Sequence, residues 1–172
     1  MILIINTCAE KLHYLEFVKP IEDIVKKDFT TKHYNDLTED DLNNADKIIV
    51  CGTSLKDNKF LKGNFDWIKN IDKPILGICA GMQIIGTVLG GKLKQGTEIG
   101  FYDEEFKEFL GIKGKEQVYH LHNNYLDKDS LKGFEILSKG KTPQAVRQGN
   151  IYGVLFHPEV RQKEMILRFI EN

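Results

Sequence analysis

The chain has 172 residues and a mass of 19.8 kDa, with 41% hydrophobic and 28% charged residues, a globular composition sized for one domain. Its 24 basic and 25 acidic side chains leave a net charge of −1, without the basic excess that a nucleic-acid footprint requires. The longest early apolar run, Ile2 to Ile5, is too short for a membrane span or a signal-peptide core, so neither membrane insertion nor export is expected.

Ile2–Ile5 predicts a buried strand, four apolar and mostly β-branched residues in a row. Pro20 suits the first turn of a helix that carries Ile21, Ile24 and Val25 at helical spacing. Phe29–Tyr34 predicts a second strand, and Thr38 with Asp41 three positions on marks a helix start. Ile48–Val50 is a third strand, broken by Gly52, and Trp67, Ile68 and Ile71 predict a helical segment before Pro74. Ile75–Ile78 is a fourth strand, and Met82–Leu89 is a helix that Gly90 and Gly91 end. Such strand–helix alternation builds a parallel sheet covered by helices. The second half is richer in β-structure: Lys92–Phe101, Gln117–His122, Phe134–Leu137, Gln144–Gln148 and Ile151–Phe156 read as strands, before a final helix over Glu159–Ile170. The lysines at 26–27 and 139–141, and the acidic cluster Asp103, Glu104 and Glu105, read as solvated surface.

Three cysteines, Cys8, Cys51 and Cys79, are odd in number, widely spaced and without a C-x-x-C, which points to a reducing, cytoplasmic setting. Cys79 alone sits in Gly77-Ile78-Cys79-Ala80-Gly81, between an apolar strand and a helix. This is the strand–nucleophile–helix elbow with cysteine in the serine position. The glycines let strand and helix approach closely, and the helix N-terminus favours the thiolate. The amide of Ala80 is free to face an oxyanion. Cys8 and Cys51 lack the flanking glycines and are expected to be structural.

A cysteine nucleophile needs a base and a group that orients the base. Among five histidines, His157 ends an apolar strand and is followed by Pro158 and Glu159. Residues i and i+2 of an extended segment point the same way, which pairs His157 with Glu159. His120 and His122 share one strand face, but no third ligand stands nearby in the sequence, so no metal and no cofactor are expected.

Together, Gly77-Ile78-Cys79-Ala80-Gly81-Met82-Gln83 and Tyr152-Gly153-Val154-Leu155-Phe156-His157-Pro158-Glu159-Val160 resemble two signatures of the class I glutamine amidotransferase family. The resemblance runs in order and spacing over most of the chain and implies one such domain over residues 1–172. It implies an α/β fold with a flavodoxin-like, mostly parallel central sheet flanked by helices. It implies hydrolysis of the L-glutamine side-chain amide, with Cys79 as nucleophile, His157 as base and acid, and Glu159 as its orienter. Gln83 matches a substrate-binding position. A third family signature, a Gly-Gly-Pro-like loop after the third strand, is altered here to Cys51-Gly52-Thr53-Ser54. By the resemblance, a second oxyanion-hole amide beside Ala80 can still come from Gly52, or from Thr53 next to it. His122-Asn123-Asn124-Tyr125 falls where the family holds glutamine, which gives Asn123 and Asn124 either a substrate role or an ordinary turn.

The two motifs use almost the whole length, so the consumer of the ammonia is expected on another polypeptide, a separate synthetase. The segment from Gly133 to the His-Pro-Glu sequence looks like the glutaminase part of guanylate synthetases. Two alternatives stay open: a γ-glutamyl hydrolase of the same superfamily, and a catalytically silent regulatory or binding subunit, suggested by the altered loop.

Overall fold

The structure, a computed structural model, describes residues 1–26 and 28–172. Lys27, half of a lysine pair read above as solvated surface, lies outside the described residues. Five parallel strands form most of a seven-stranded sheet: β1 (Ile2–Asn6), β2 (Phe29–His33), β3 (Lys47–Val50), β4 (Ile75–Ile78) and β9 (Ile151–Val154). Two antiparallel strands, β7 (Glu135–Ile136) and β8 (Ala145–Gln148), extend it, giving the order β2-β1-β3-β4-β9-β8-β7. The central strands β1, β3 and β4 read as apolar runs because both faces of the sheet are covered there. In β1, Ile2 and Ile4 enter one core cluster and Leu3 and Ile5 the other. Among the described residues no helix is long and apolar enough to cross a membrane.

Helix α3 (Glu39–Asn44) starts as its capping box requires: Thr38 accepts from the Asp41 amide, and the Asp41 carboxylate accepts from the Thr38 amide. Helix α4 (Ala80–Val88) follows β4 directly. Pro20 lies in the first turn of α2 (Lys19–Val25). A further helix, α1 (Lys11–Phe17), was not expected, because Leu12 and Leu15 point to solvent and blur its amphipathic pattern.

Three expectations need correction. The segment around Trp67 forms 3₁₀ turns over Lys59–Lys62 and Asp66–Lys69 instead of an α-helix. There the Asn64 side chain accepts from the Asp66 amide, a local bond that competes with helix propagation. The last helix, α5 (Lys163–Glu171), begins after the His-Pro-Glu segment instead of at Glu159. Lys92–Phe101 and Gln117–His122 are parts of one long hairpin, β5 (Leu93–Phe109) with β6 (Ile112–Leu126). Its two-residue turn puts Leu110 and Gly111 at φ of 44° and 81°, the positive angles that a right-twisted hairpin needs. Charged residues such as Asp103–Glu105 hid the strand because a two-stranded ribbon leaves much of its surface to water.

Candidate active site

The carboxyl ends of β1, β3, β4 and β9 meet at one edge of the sheet, where open α/β folds build their sites. Cys79 follows β4, Gly52 lies just past β3, Thr7 follows β1, and His157 stands shortly after β9. Cys79 has φ 51° and ψ −100°, a conformation side chains rarely adopt, so the turn pushes its thiol out at the head of α4. Two glycines make this turn fit. A Cβ on Gly81 would stand 2.2 Å from the Val50 carbonyl oxygen, and one on Gly77 would meet the Gly81 carbonyl carbon at 2.5 Å. The Cys79 amide donates to the Val154 carbonyl at 2.7 Å, which pins the elbow to β9.

His157 and Glu159 are both buried, with Nδ1 of the imidazole 2.7 Å from Oε1 of the carboxylate. The sequence reading paired them along an extended strand. They meet instead in a turn, in which the Val160 amide donates to the His157 carbonyl at 3.2 Å. Burial alone would push the His157 pKa down. The charge of Glu159, followed by that of Cys79, outweighs it and raises the imidazole well above its ordinary range. Its Nε2 has no hydrogen-bond partner and remains available for a proton transfer.

The other two cysteines are held as thiols. Burial pushes Cys51 well above its ordinary value, helped by the charge of Glu159. Burial likewise raises Cys8 to about 11, against a lowering hydrogen bond from Thr53.

The loop after β3 lies against the imidazole. A Cβ on Gly52 would stand 2.8 Å from His157 Cε1 and 3.3 Å from Cys79 Cβ. From below, the Thr7 hydroxyl donates to the carbonyls of Cys51 and Gly52 at 3.0 and 3.1 Å. Asp57 braces the far side, accepting from the Thr53 hydroxyl at 2.8 Å and from the Ala9 and Lys59 amides. Among the described residues, the amides of Gly52 and Ala80 enter none of the backbone bonds of turns and loops. The altered loop is therefore held in place by Thr7 and Asp57, without the family's proline.

Strand β6 crosses the site edge-on. Its carbonyls at Gln117, Tyr119 and Leu121 point one way and accept, in turn, from Gln162 Nε2 at 2.8 Å, the His157 amide at 2.9 Å and the Cys79 thiol at 3.5 Å. Between β6 and the loop after β3 runs a cleft lined by Thr53, Ser54, Cys79, Ala80, Gln83 and Asn124, among others. Gln83 Nε2 donates to the Asn124 carbonyl at 3.3 Å, leaving its buried Oε1 without a partner. Asn123 and Asn124 lie within β6, so the turn reading is set aside. Their side chains donate across the cleft to the Leu55 carbonyl at 2.8 Å and to Asn58 Oδ1 at 3.1 Å.

All eight residues singled out in the sequence thus gather at one end of the sheet. The bracing residues Thr7 and Asp57 went unread because a lone threonine and a loop aspartate carry no pattern. The carbonyls of Tyr119 and Leu121 are backbone groups, which no side-chain motif can encode.

A cysteine at a strained elbow with a buried histidine–carboxylate pair, on a flavodoxin-like sheet, defines a class of α/β protein built around a thiol site. A family model for glutamine amidotransferase class-I matches residues 14–172, and the chain belongs to that family. It is 38% identical over 111 residues to a GMP synthase (glutamine-hydrolyzing) from Pyrobaculum aerophilum, covering 59% of this chain and 21% of that protein. It is 30% identical over 118 residues to one subunit of the GMP synthase (glutamine-hydrolyzing) from Sulfolobus acidocaldarius, covering 62% of each. The match therefore spans about a fifth of the first relative and less than two thirds of the second. A crystal structure of a Thermoplasma acidophilum protein, provisionally assigned as one subunit of GMP synthase, superposes with a TM-score of 0.82. At 19% identity, covering 99% of this chain and 92% of that one, this likeness establishes the fold alone.

Proposed function

We propose that residues 1–172 form one amidotransferase domain that hydrolyses the side-chain amide of L-glutamine through Cys79 and passes the ammonia to a separate synthetase, of the kind that makes guanylate. The observation that carries the reading is the meeting of Cys79, His157 and Glu159 beside a cleft containing Gln83.

Cys79 Sγ attacks the amide carbon while its proton passes to His157 Nε2. The amides of Gly52 and Ala80 donate to the developing oxyanion. Collapse of the tetrahedral intermediate breaks the C–N bond, and His157 returns the proton to the departing ammonia. Water, deprotonated by the same nitrogen, then attacks the γ-glutamyl thioester and releases glutamate. Glu159 orients the imidazole and balances its charge. The unpartnered Gln83 Oε1 and the polar edge of β6 at Asn123 and Asn124 suit the amino acid end of glutamine.

The partner reading draws on the relative whose name makes it one subunit of a larger synthase, and on the rim of the site. Phe101 on β5 and Val160 in the turn after Glu159 are exposed, as are Leu12 and Leu15 on α1. The Phe17 ring at the end of α1 packs 5.5 Å from the His157 ring, and Phe101 packs on Tyr119, itself next to His157. An apolar rim of this kind is a docking surface by its chemistry. Three free cysteines fit a reducing cytoplasm.

The test is covalent labelling with a glutamine-like electrophile, followed by glutaminase assays with and without a guanylate-type synthetase. Labelling at Cys79, with glutamine turnover abolished in Cys79→Ala and ammonia-dependent synthesis by the partner intact, is the expected result. Turnover of γ-glutamyl peptides with none on glutamine would replace this reading with the hydrolase. Absence of labelling would leave the catalytically silent reading.

A further inference from the structure

His120 and His122 share a face of β6 with Asn124, and His122 also lines the cleft, but neither imidazole takes part in the chemistry above. Both rings are buried, and Nδ1 of each lacks a hydrogen-bond partner. The hairpin register sets Glu98 of β5 opposite His122, with Glu98 Oε2 2.8 Å from His122 Nε2 and 3.9 Å from His120 Nδ1. One ligand atom from each of the three residues lies within 4.8 Å of the others. The third ligand that the sequence did not reveal therefore stands 22 residues before His120, across the hairpin.

Two neighbours complete the arrangement. Glu104 Oε1 lies 3.3 Å from His120 Nε2, and Gln144 Nε2 donates to Glu98 Oε2 at 3.1 Å. Glu104 and Glu98 therefore stand at opposite nitrogens of the His120 ring. Glu98 Oε2 thus stands between His122 Nε2 and the Gln144 amide, with His120 Nδ1 on the remaining side. Two buried imidazoles and a carboxylate converging on one poorly solvated point suit a cation held between them. Imidazole ligands whose far nitrogen donates to a carboxylate are the usual outer arrangement of a metal site. Donors bound to one zinc ion at about 2.0–2.2 Å stand roughly 3.3–3.5 Å apart, and the two observed spacings bracket that.

We propose that His120 Nδ1, His122 Nε2 and Glu98 bind a divalent transition metal of the zinc type, with Glu104 as a positioning residue. The ion would displace the proton of His122 Nε2 and tie β5 to β6. Tyr119 and Leu121, whose carbonyls meet the His157 amide and the Cys79 thiol, flank His120 on the same strand. A metal clamp there would stiffen the strand edge against which the reacting groups rest.

Chelator-stripped protein is titrated with Co²⁺ and then Zn²⁺. The expected result is one equivalent of Co²⁺ per chain, with visible bands of a four- or five-coordinate nitrogen–oxygen site and no thiolate charge-transfer band. One equivalent of Zn²⁺ should displace it and raise the melting temperature. Cys79→Ala should bind identically, which separates this site from the thiol and from any failure of the glutaminase reading. Glu104→Gln should weaken binding about 10–100-fold, and Glu98→Gln or His120→Asn should abolish it. Absence of stoichiometric binding in the unaltered chain would overturn the proposal, leaving a proton as the shared cation. Thiolate bands, loss of binding in Cys79→Ala, or unchanged binding in Glu104→Gln would overturn it as well. The last two arms decide the matter even if the ligand variants do not fold.

Discussion

At Gly52 one hydrogen atom in place of a methyl group lets the loop after β3 touch the His157 ring. Gly52→Ala would put a carbon 2.8 Å from His157 Cε1, and the imidazole must give way. Displacement of a reacting group by about 1 Å costs on the order of 10²-fold in rate. Glutaminase kcat should therefore fall by about that factor while the urea midpoint changes little. Glu159 acts on the same ring by charge. Removing an opposite charge at hydrogen-bond distance lowers the pKa of a buried histidine by about 1–3 units. In Glu159→Gln the alkaline limb of kcat/KM against pH should move down by that amount, as His157 loses its proton earlier. The sign for stability follows. A histidine with a raised folded pKa stabilises most fully below its unfolded value, and that stability is lost as pH rises through the folded value. The urea midpoint of the unaltered protein should decline through the alkaline range, and Glu159→Gln should flatten the decline.

Among the elements, the junction of β4 and α4 is the tightest. A Cβ on Gly81 would stand 2.2 Å from the Val50 oxygen, a backbone atom that cannot rotate away. Alanine would favour the helix by about 1 kcal/mol on propensity, but overpacking costs about 1–3 kcal/mol or more, so the clash decides. Gly81→Ala should lower the unfolding free energy by roughly 1–2 kcal/mol, read by urea denaturation, and should take most of the glutaminase activity with it. The hairpin of β5 and β6 acts differently. It lies outside the main sheet, yet its carbonyls receive the Cys79 thiol and the His157 amide, and its asparagines hold the loop at Leu55 and Asn58. It is one wall of the cleft.

For the whole molecule, Leu12 and Leu15 on α1 and Phe101 on β5 are large apolar side chains that the fold leaves exposed. Leu12→Glu and Phe101→Glu should leave basal glutamine turnover unchanged and weaken the association with a synthetase partner tenfold or more, measured by titration calorimetry. The parallel strands were legible in the sequence because burial on both faces demands unbroken apolar runs, as in Ile2–Ile5 and Ile75–Ile78. The elbow was legible because its strained turn admits few residue types, and His157 with Glu159 because the pair is local in the chain. The long hairpin was not, since alternating charged residues on a solvated ribbon look like surface loops. The start of α5 was not, since a turn over Pro158–Val160 comes before it. Glu98 could not be joined to His120 and His122 until the register of β5 against β6 was known. The sequence by itself determined the family, the sheet and the identity of the three polar residues at the site. Only the tertiary structure decided what braces them and what lies opposite, because those contacts join residues tens of positions apart through backbone groups and strand register.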